Sequence, residues 1–415
     1  MRIDQERWYI RHYAWIGLTA LWIIGFIGAI SRFIMASYQV QIAEDLHVSR
    51  GFISAAWSTN LFIAALCAPI GGRLVDRFGA KKVMLISSMF SIAGTGLVCI
   101  SHHPAAFFIG YGILSGLAGL AASTAYVLLF RWFERHKAKA AGILSSASSV
   151  GLAICTPVFL SNSSLSWQDA FLLSALLGLV VTVPIILFLI RPTERNSLMK
   201  NEQLPHTEDP PAEAPNQQVA HSQGAFYLPF VIVAFALFTC GINMGTVEMN
   251  LVAIHQLASV PSGMIALSMS ILGVMEIIGS LVFGSLMDIM NKRSALMLLY
   301  GIRILSFAIL LLHTSWSPIL FAITFGVTYL GAVPGGMLVA NEFTNKTGRL
   351  IGNLMLFHQA GGILGALVGG IAFDVFHNYQ VLIVLDAVLC GIAVVGYSVL
   401  KLRKFIHKGE LYHAG

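Results

Sequence analysis

A chain of 415 residues that is 57% hydrophobic and only 11% charged carries too little charge to cover the surface of a soluble protein of its size. Its mean hydropathy is +0.78 and its net charge +6, and the basic residues sit in short connectors, which points to membrane topology and away from nucleic acid. Cys67, Cys99, Cys155, Cys240 and Cys390 lie singly in apolar segments without CxxC or metal-like spacing, so they read as small buried hydrophobes, and neither disulfide nor metal is expected.

About 20 apolar residues cross a bilayer as a helix, and runs of that length recur from end to end. Twelve spans are expected, near residues 14–40, 51–72, 83–101, 105–130, 138–160, 169–190, 226–252, 261–286, 295–313, 317–340, 350–373 and 379–400. The first is too long for a signal peptide, lacks a small-residue cleavage site and is followed by many more, so it is expected to be retained. Between spans 6 and 7, residues 191–225 hold Pro192, Pro205, Pro210, Pro211 and Pro215 without apolar periodicity, the composition of a flexible linker. The expected organisation is a six-helix bundle over 1–190, a cytoplasmic linker over 191–225 and a second bundle over 226–415.

The connectors orient the chain. Arg2, Arg7 and Arg11 precede span 1; Arg73, Arg77, Lys81 and Lys82 lie between spans 2 and 3; Arg131, Arg135, Lys137 and Lys139 lie between 4 and 5. Further basic residues fall in the linker, at Lys292 and Arg293, at Lys346 and Arg349, and from Lys401 to Lys408, all on one side of a twelve-span chain. The opposite side carries Arg50 alone. Excess Lys/Arg marks the cytoplasmic face, so both termini and the linker are expected there, in a multi-pass protein of the cell (inner) membrane.

The hairpin after span 2 reads GGRLVDRFGAKK, and after span 8 comes FGSLMDIMNKRS. Gly284, Leu286 and Asp288 repeat Gly72, Leu74 and Asp76 at a constant offset of 212. Two six-span halves in parallel repeat, joined by a linker, form a transporter architecture. The first hairpin, with Gly72, Leu74, Asp76, Arg77, Gly79, Lys81 and Lys82, resembles the signature loop of the major facilitator superfamily, G-x-L-x-D-R-x-G-x-K/R-K/R, and the resemblance covers essentially the whole chain. It implies an all-α fold of twelve helices in two pseudo-symmetric bundles. It also implies a gating role for Gly72, Asp76, Arg77, Gly79, Lys81, Lys82, Gly284 and Asp288, whose charges would latch the halves in one access state; otherwise they are ordinary interfacial charges. Asn291 replaces the glycine expected in the second copy.

The stretch RWFERHKAKAAGILSSASSVG, from Arg131 to Gly151, resembles the monocarboxylate-transporter branch, with Gly142, Ala147 and Gly151 suited to close helix packing. The span 4 arginine of proton-antiporting drug exporters is missing: Gly112 stands four residues before Gly116. Their Gly-Pro signature in span 5 is missing too. SILGVMEIIGS resembles span 8 of the same branch, where an acid precedes a substrate-binding arginine by four residues; Glu276 matches the acid, but the arginine position is Ser280. That departure leaves the substrate open. Short loops and a modest linker look bacterial.

An ionisable group inside a membrane is costly unless paired or facing water, so each is a site candidate. They are Arg32, Glu248, Glu276, Arg303 and Asp386, with His358 added. By the resemblance, spans 1, 4, 7 and 10 line the central cavity. Arg32 lies about 27 Å along span 1 at 1.5 Å per residue and would offer a forked, permanently charged site for a carboxylate, or else pair with an acid such as Glu248. Asn243 and His358 are further candidates for substrate contact; Asn60, Tyr126, Asn250 and Tyr329 are weaker ones. Glu248 and Glu276 are candidate proton carriers, because a low-dielectric cavity disfavours the charged carboxylate. Arg303 and Asp386, on scaffold spans, are expected to pair with each other or with backbone carbonyls, or to snorkel, rather than touch substrate. Gly361, Gly365 and Gly369 form a small-residue seam for helix packing.

No G-x-S-x-G, Walker loop, H-E-x-x-H or G-x-G-x-x-G occurs, so neither an enzyme nor an ATP-driven pump is expected, and no cofactor. The expectation is a monomeric secondary transporter that moves a small organic anion, a monocarboxylate above all, with protons. The alternative is proton-coupled efflux of drugs or metabolites.

Overall fold

A computed structural model describes residues 2–190 apart from 123, 134–136 and 163, and residues 223–413 apart from 313, 341 and 343–346. The described chain is all-helical, and a helix satisfies its backbone polar groups within its own segment, as crossing lipid requires. Among the described residues twelve helices are long and apolar enough to span a membrane. Spans 1 to 6 are Tyr13–Asp45, Arg50–Phe78, Ala80–Ile100, Pro104–Leu129, Ala140–Ser161 and Trp167–Leu189. Spans 7 to 12 are Leu228–Leu257, Ser262–Ile289, Lys292–Leu311, Ser317–Ala340, Asn353–Phe376 and Gln380–Leu400. Of the expected linker, 191–222 lies outside the described residues, and the next helix already runs at Gln223.

Each group of six encloses apolar packing of its own. Trp57, Phe107, Trp167 and Phe171 centre one cluster among spans 1 to 6, with Leu128, Leu129 and Trp132 in a second. Leu237, Phe307, Phe321 and Phe325 centre another among spans 7 to 12. Small residues let backbones touch within these groups. A Cβ on Gly361 would stand 2.1 Å from the Phe238 carbonyl, and one on Gly365 would stand 2.2 Å from that of Ile242, so the expected seam seats span 11 against span 7. In span 4 a Cβ on Gly112 would lie 3.2 Å from the Ala56 carbonyl; the position where drug exporters carry an arginine is here backbone packed on backbone.

The contacts that join the two groups gather toward the end of the bundle where span 2 begins. Asp374, at the end of span 11, accepts hydrogen bonds from the backbone N–H groups of Arg50 and Gly51 at 3.1 and 2.8 Å. The Arg50 guanidinium lies 3.5 Å over the Phe373 ring and donates to the Tyr379 hydroxyl. Ser58 donates to the Ile363 carbonyl, Gln39 to Asn250 and Ser270 to the Ala153 carbonyl.

The opposite end holds the signature hairpins. Gly79, with φ +85°, turns the chain between spans 2 and 3, a conformation that glycine adopts without strain. Asp76 is exposed and makes no hydrogen bond or ion pair with another described residue, the Arg77 guanidinium lies over Phe78, and Lys81 donates to the Leu187 carbonyl in its own half. Among the described residues these side chains make no ion pair across the halves. The second copy turns differently: Asn291 accepts a hydrogen bond from the Arg293 N–H and caps span 9, which explains how it dispenses with glycine. Asp288 is exposed there, while Arg293 pairs with Glu342 at 2.8 Å and donates to the Leu400 carbonyl, tying spans 9, 10 and 12 together.

Candidate functional site

Midway along the bundle a chamber of about 220 Å³ opens between the halves, lined by Arg32, Ser148, Ser149, Glu248, Glu276 and Tyr329 among others. Arg32 Nη1 lies 3.6 Å from Glu248 Oε2, and both side chains are partly exposed, at 40% and 27%. The anticipated ion pair of spans 1 and 7 thus exists, and it faces open space. Tyr329 donates its hydroxyl proton to Glu248 Oε1. Glu276 is 4% exposed and accepts a hydrogen bond from Ser149 at 2.6 Å, a link between spans 5 and 8 and hence between the halves. The chamber therefore offers one cation and two acids, each acid already held by a hydroxyl.

The placement of Tyr329 has a cause in the sequence. Pro334 has no N–H to give the Leu330 carbonyl four residues earlier, and its ring crowds that carbonyl; span 10 accordingly breaks between Tyr329 and Ala332. The break frees carbonyls inside the membrane, and Arg303 takes them, donating to those of Thr328 and Tyr329 at 3.1 and 3.3 Å. Buried completely, Arg303 also donates to Thr328 Oγ1 and to Asn243 Oδ1. Asn243 in turn donates to Asp386 at 2.7 Å. Arg303 and Asp386 are thus joined through an amide, and the expectation that Arg303 meets backbone carbonyls holds. The weak sequence signals for this arrangement were Pro334 and a tyrosine with no spacing to single it out.

Asn243 is completely buried within the network of spans 7, 9, 10 and 12 and does not line the chamber, because helix rotation turns it toward the interior of its own half. His358 faces the Leu237 carbonyl at 3.2 Å across spans 11 and 7, and it too lies outside the chamber lining. Neither is placed for the substrate contact anticipated for it. Ser280 bonds to the Ile277 carbonyl of its own helix, so no cation occupies the position where the monocarboxylate branch has its arginine. Arg32 is left as the chamber's cation among the lining residues.

A family model described as Major Facilitator Superfamily matches residues 21–352 and 233–410. The chain is 26% identical over 392 residues to an uncharacterized MFS-type transporter, YcxA, of Bacillus subtilis (strain 168), covering 89% of this chain and 90% of that one. It is 24% identical over 425 residues to monocarboxylate transporter 3 of Rattus norvegicus, covering 97% and 84%. Among solved structures, a mutant of the nucleoside transporter NupG superimposes with a TM-score of 0.71 at 15% identity, over 92% of this chain and 99% of that one. A bacterial homolog of the human lysosomal transporter Spinster, in an inward-facing and unoccupied conformation, gives 0.63 at 16%, over 93% and 96%.

Proposed function

This chain belongs to the Major Facilitator Superfamily and is a membrane transporter; within that family we propose that it moves a small organic anion, above all a monocarboxylate, by proton-coupled alternating access across the cell membrane. One observation carries the reading: Arg32 faces the chamber with a single acid, Glu248, 3.6 Å away.

With Glu248 ionised the pair is neutral and has no need of an anion. A carboxylate that takes the Arg32 fork competes with Glu248 and sets two carboxylates beside one guanidinium, which like-charge repulsion opposes. A proton on Glu248 removes the repulsion. Anion and proton then load together, and the occupied chamber carries no more net charge than the empty one. Tyr329 keeps Glu248 placed through the exchange, and Glu276 is the second acid open to protonation. The similarity to proteins named monocarboxylate transporters supports the substrate class.

The basic connectors set both termini and the linker 191–225 in the cytoplasm, between bundles 1–190 and 226–415. The Arg50–Asp374 end then faces outward, and the conformation described is closed to the outside. The chamber is lined from one chain, which supports a transporter that works as a monomer. On opening outward, the hairpins at Asp76 and Asp288 would close the inner end.

The test is uptake of a radiolabelled monocarboxylate into proteoliposomes under an inward proton gradient. Uptake is expected to disappear in Arg32→Ala. In Glu248→Gln, counterflow exchange is expected to persist while the response to the gradient is lost. If no carboxylate enters, and expressing cells instead gain drug resistance, the chain is a proton-coupled exporter of drugs or metabolites.

A further inference from the structure

Behind the Arg32 chamber, within spans 1 to 6, lies a second hollow of about 600 Å³. It shares Arg32, Ser145 and Ser148 with the chamber, so the two adjoin at these residues. Gly28 lines it on span 1, and a Cβ there would meet nothing within 4 Å.

The lobe has a chemical bias. On span 3, Ser87, Ser88 and Thr95 line it, and each hydroxyl donates its proton to a helix carbonyl, those of Ala118, Met84 and Ser91 at 2.8 to 2.9 Å. A hydroxyl whose proton is committed still presents lone pairs as an acceptor. Asn60 likewise donates to the Tyr111 carbonyl at 2.8 Å, which leaves its amide oxygen as an acceptor.

We propose that this lobe receives the body of the transported anion, and that the substrate is a hydroxylated carboxylate of six or so carbons, larger than a three-carbon acid. This rests on Arg32 as the carboxylate anchor. The hydroxyl groups of the body donate to the serine, threonine and asparagine oxygens. Lactate would reach Arg32 and leave the lobe empty.

The test compares uptake of three radiolabelled acids in proteoliposomes: lactate, gluconate as the hydroxylated six-carbon probe, and hexanoate as its unhydroxylated counterpart. Two variants fill the lobe from different helices, Ser91→Leu on span 3 and Gly28→Leu on span 1, and Arg32→Ala runs beside them. Thermal unfolding of each variant checks that it folds. Wild type is expected to prefer gluconate over both other acids by about tenfold or more in kcat/KM, and each filling variant to lose about tenfold on gluconate while lactate changes far less. Equal preference in wild type, or equal losses on lactate and gluconate in both filling variants, would overturn the proposal. If Arg32→Ala abolishes uptake while filling has no effect, the anchor stands and the lobe falls. If wild type takes up none of the three acids, the anchor falls, and the lobe with it.

Discussion

Glu276 rests on a single hydrogen bond from Ser149, at a position that is almost fully buried. The bond crosses between the halves, so it exists only while spans 5 and 8 stay together. Removing the hydroxyl leaves a buried carboxyl oxygen without its donor, a loss of about 1–3 kcal/mol. Ser149→Ala is therefore expected to lower the unfolding temperature of the purified protein, and Glu276→Leu added to it to cost less than the sum of the two single changes. Strictly additive losses would show that the two side chains do not act as a pair. Glu248 differs in kind. Its partners, Arg32 and Tyr329, sit on the chamber wall, where a ligand can compete for them.

At the scale of the element, span 10 shows how a defect is turned to use. Pro334 opens the helix, Arg303 binds the freed carbonyls, and Tyr329 is presented to Glu248. Pro334→Ala lets the helix close across the gap. The expected result is a folded protein whose uptake falls about 10- to 100-fold, since displacement of a site group by an ångström has effects of that size; unchanged uptake would show that the break does not position Tyr329. The sequence made the twelve spans legible because hydropathy and basic connectors each mark them independently. The chamber was less legible, and span 7 shows why. Asn243 and Glu248 are five residues apart, about 140° around a helix, so one faces the interior of its half and the other the chamber. Hydropathy carries no phase for a helix that is apolar on nearly all sides, and both residues read alike as polar groups in a membrane. Arg32 and Glu248 stood out as charges, whereas Tyr329 needed the break to become visible.

At the scale of the whole molecule, one end is held by a carboxylate that clasps two peptide N–H groups. Asp374 caps the start of span 2 from the opposite half, joining a hydrogen-bonded cap to the positive end of a helix dipole. Loss of such a cap costs about 1–2 kcal/mol, a 5- to 30-fold change in a two-state equilibrium. Ser54 is fully buried beside Gly370 at this interface, which makes Ser54→Cys a reporter of its opening. In a background where the native cysteines are replaced, labelling of Ser54→Cys by a membrane-impermeant thiol reagent is expected to rise several-fold when Asp374→Ala is added. Equal labelling would mean that the clasp does not set the resting state. The repeat of the two hairpins was readable in the sequence, but this clasp was not, since it joins residues more than 300 positions apart.

The order in which the ribosome delivers these parts matters for Arg303. Span 9 emerges when Asn243 is already in place, but the Thr328 and Tyr329 carbonyls lie 25 and 26 residues further on, and Asp386 comes only with span 12. An arginine at the centre of a nascent helix costs about 2.5–3.5 kcal/mol on insertion, so during synthesis it lacks most of its partners. Chains truncated before span 12 would keep the guanidinium without its acid, and quality-control proteases would meet them as incompletely assembled spans. The second half is therefore not a series of spans secured one by one; its biogenesis is complete only when the last helix arrives.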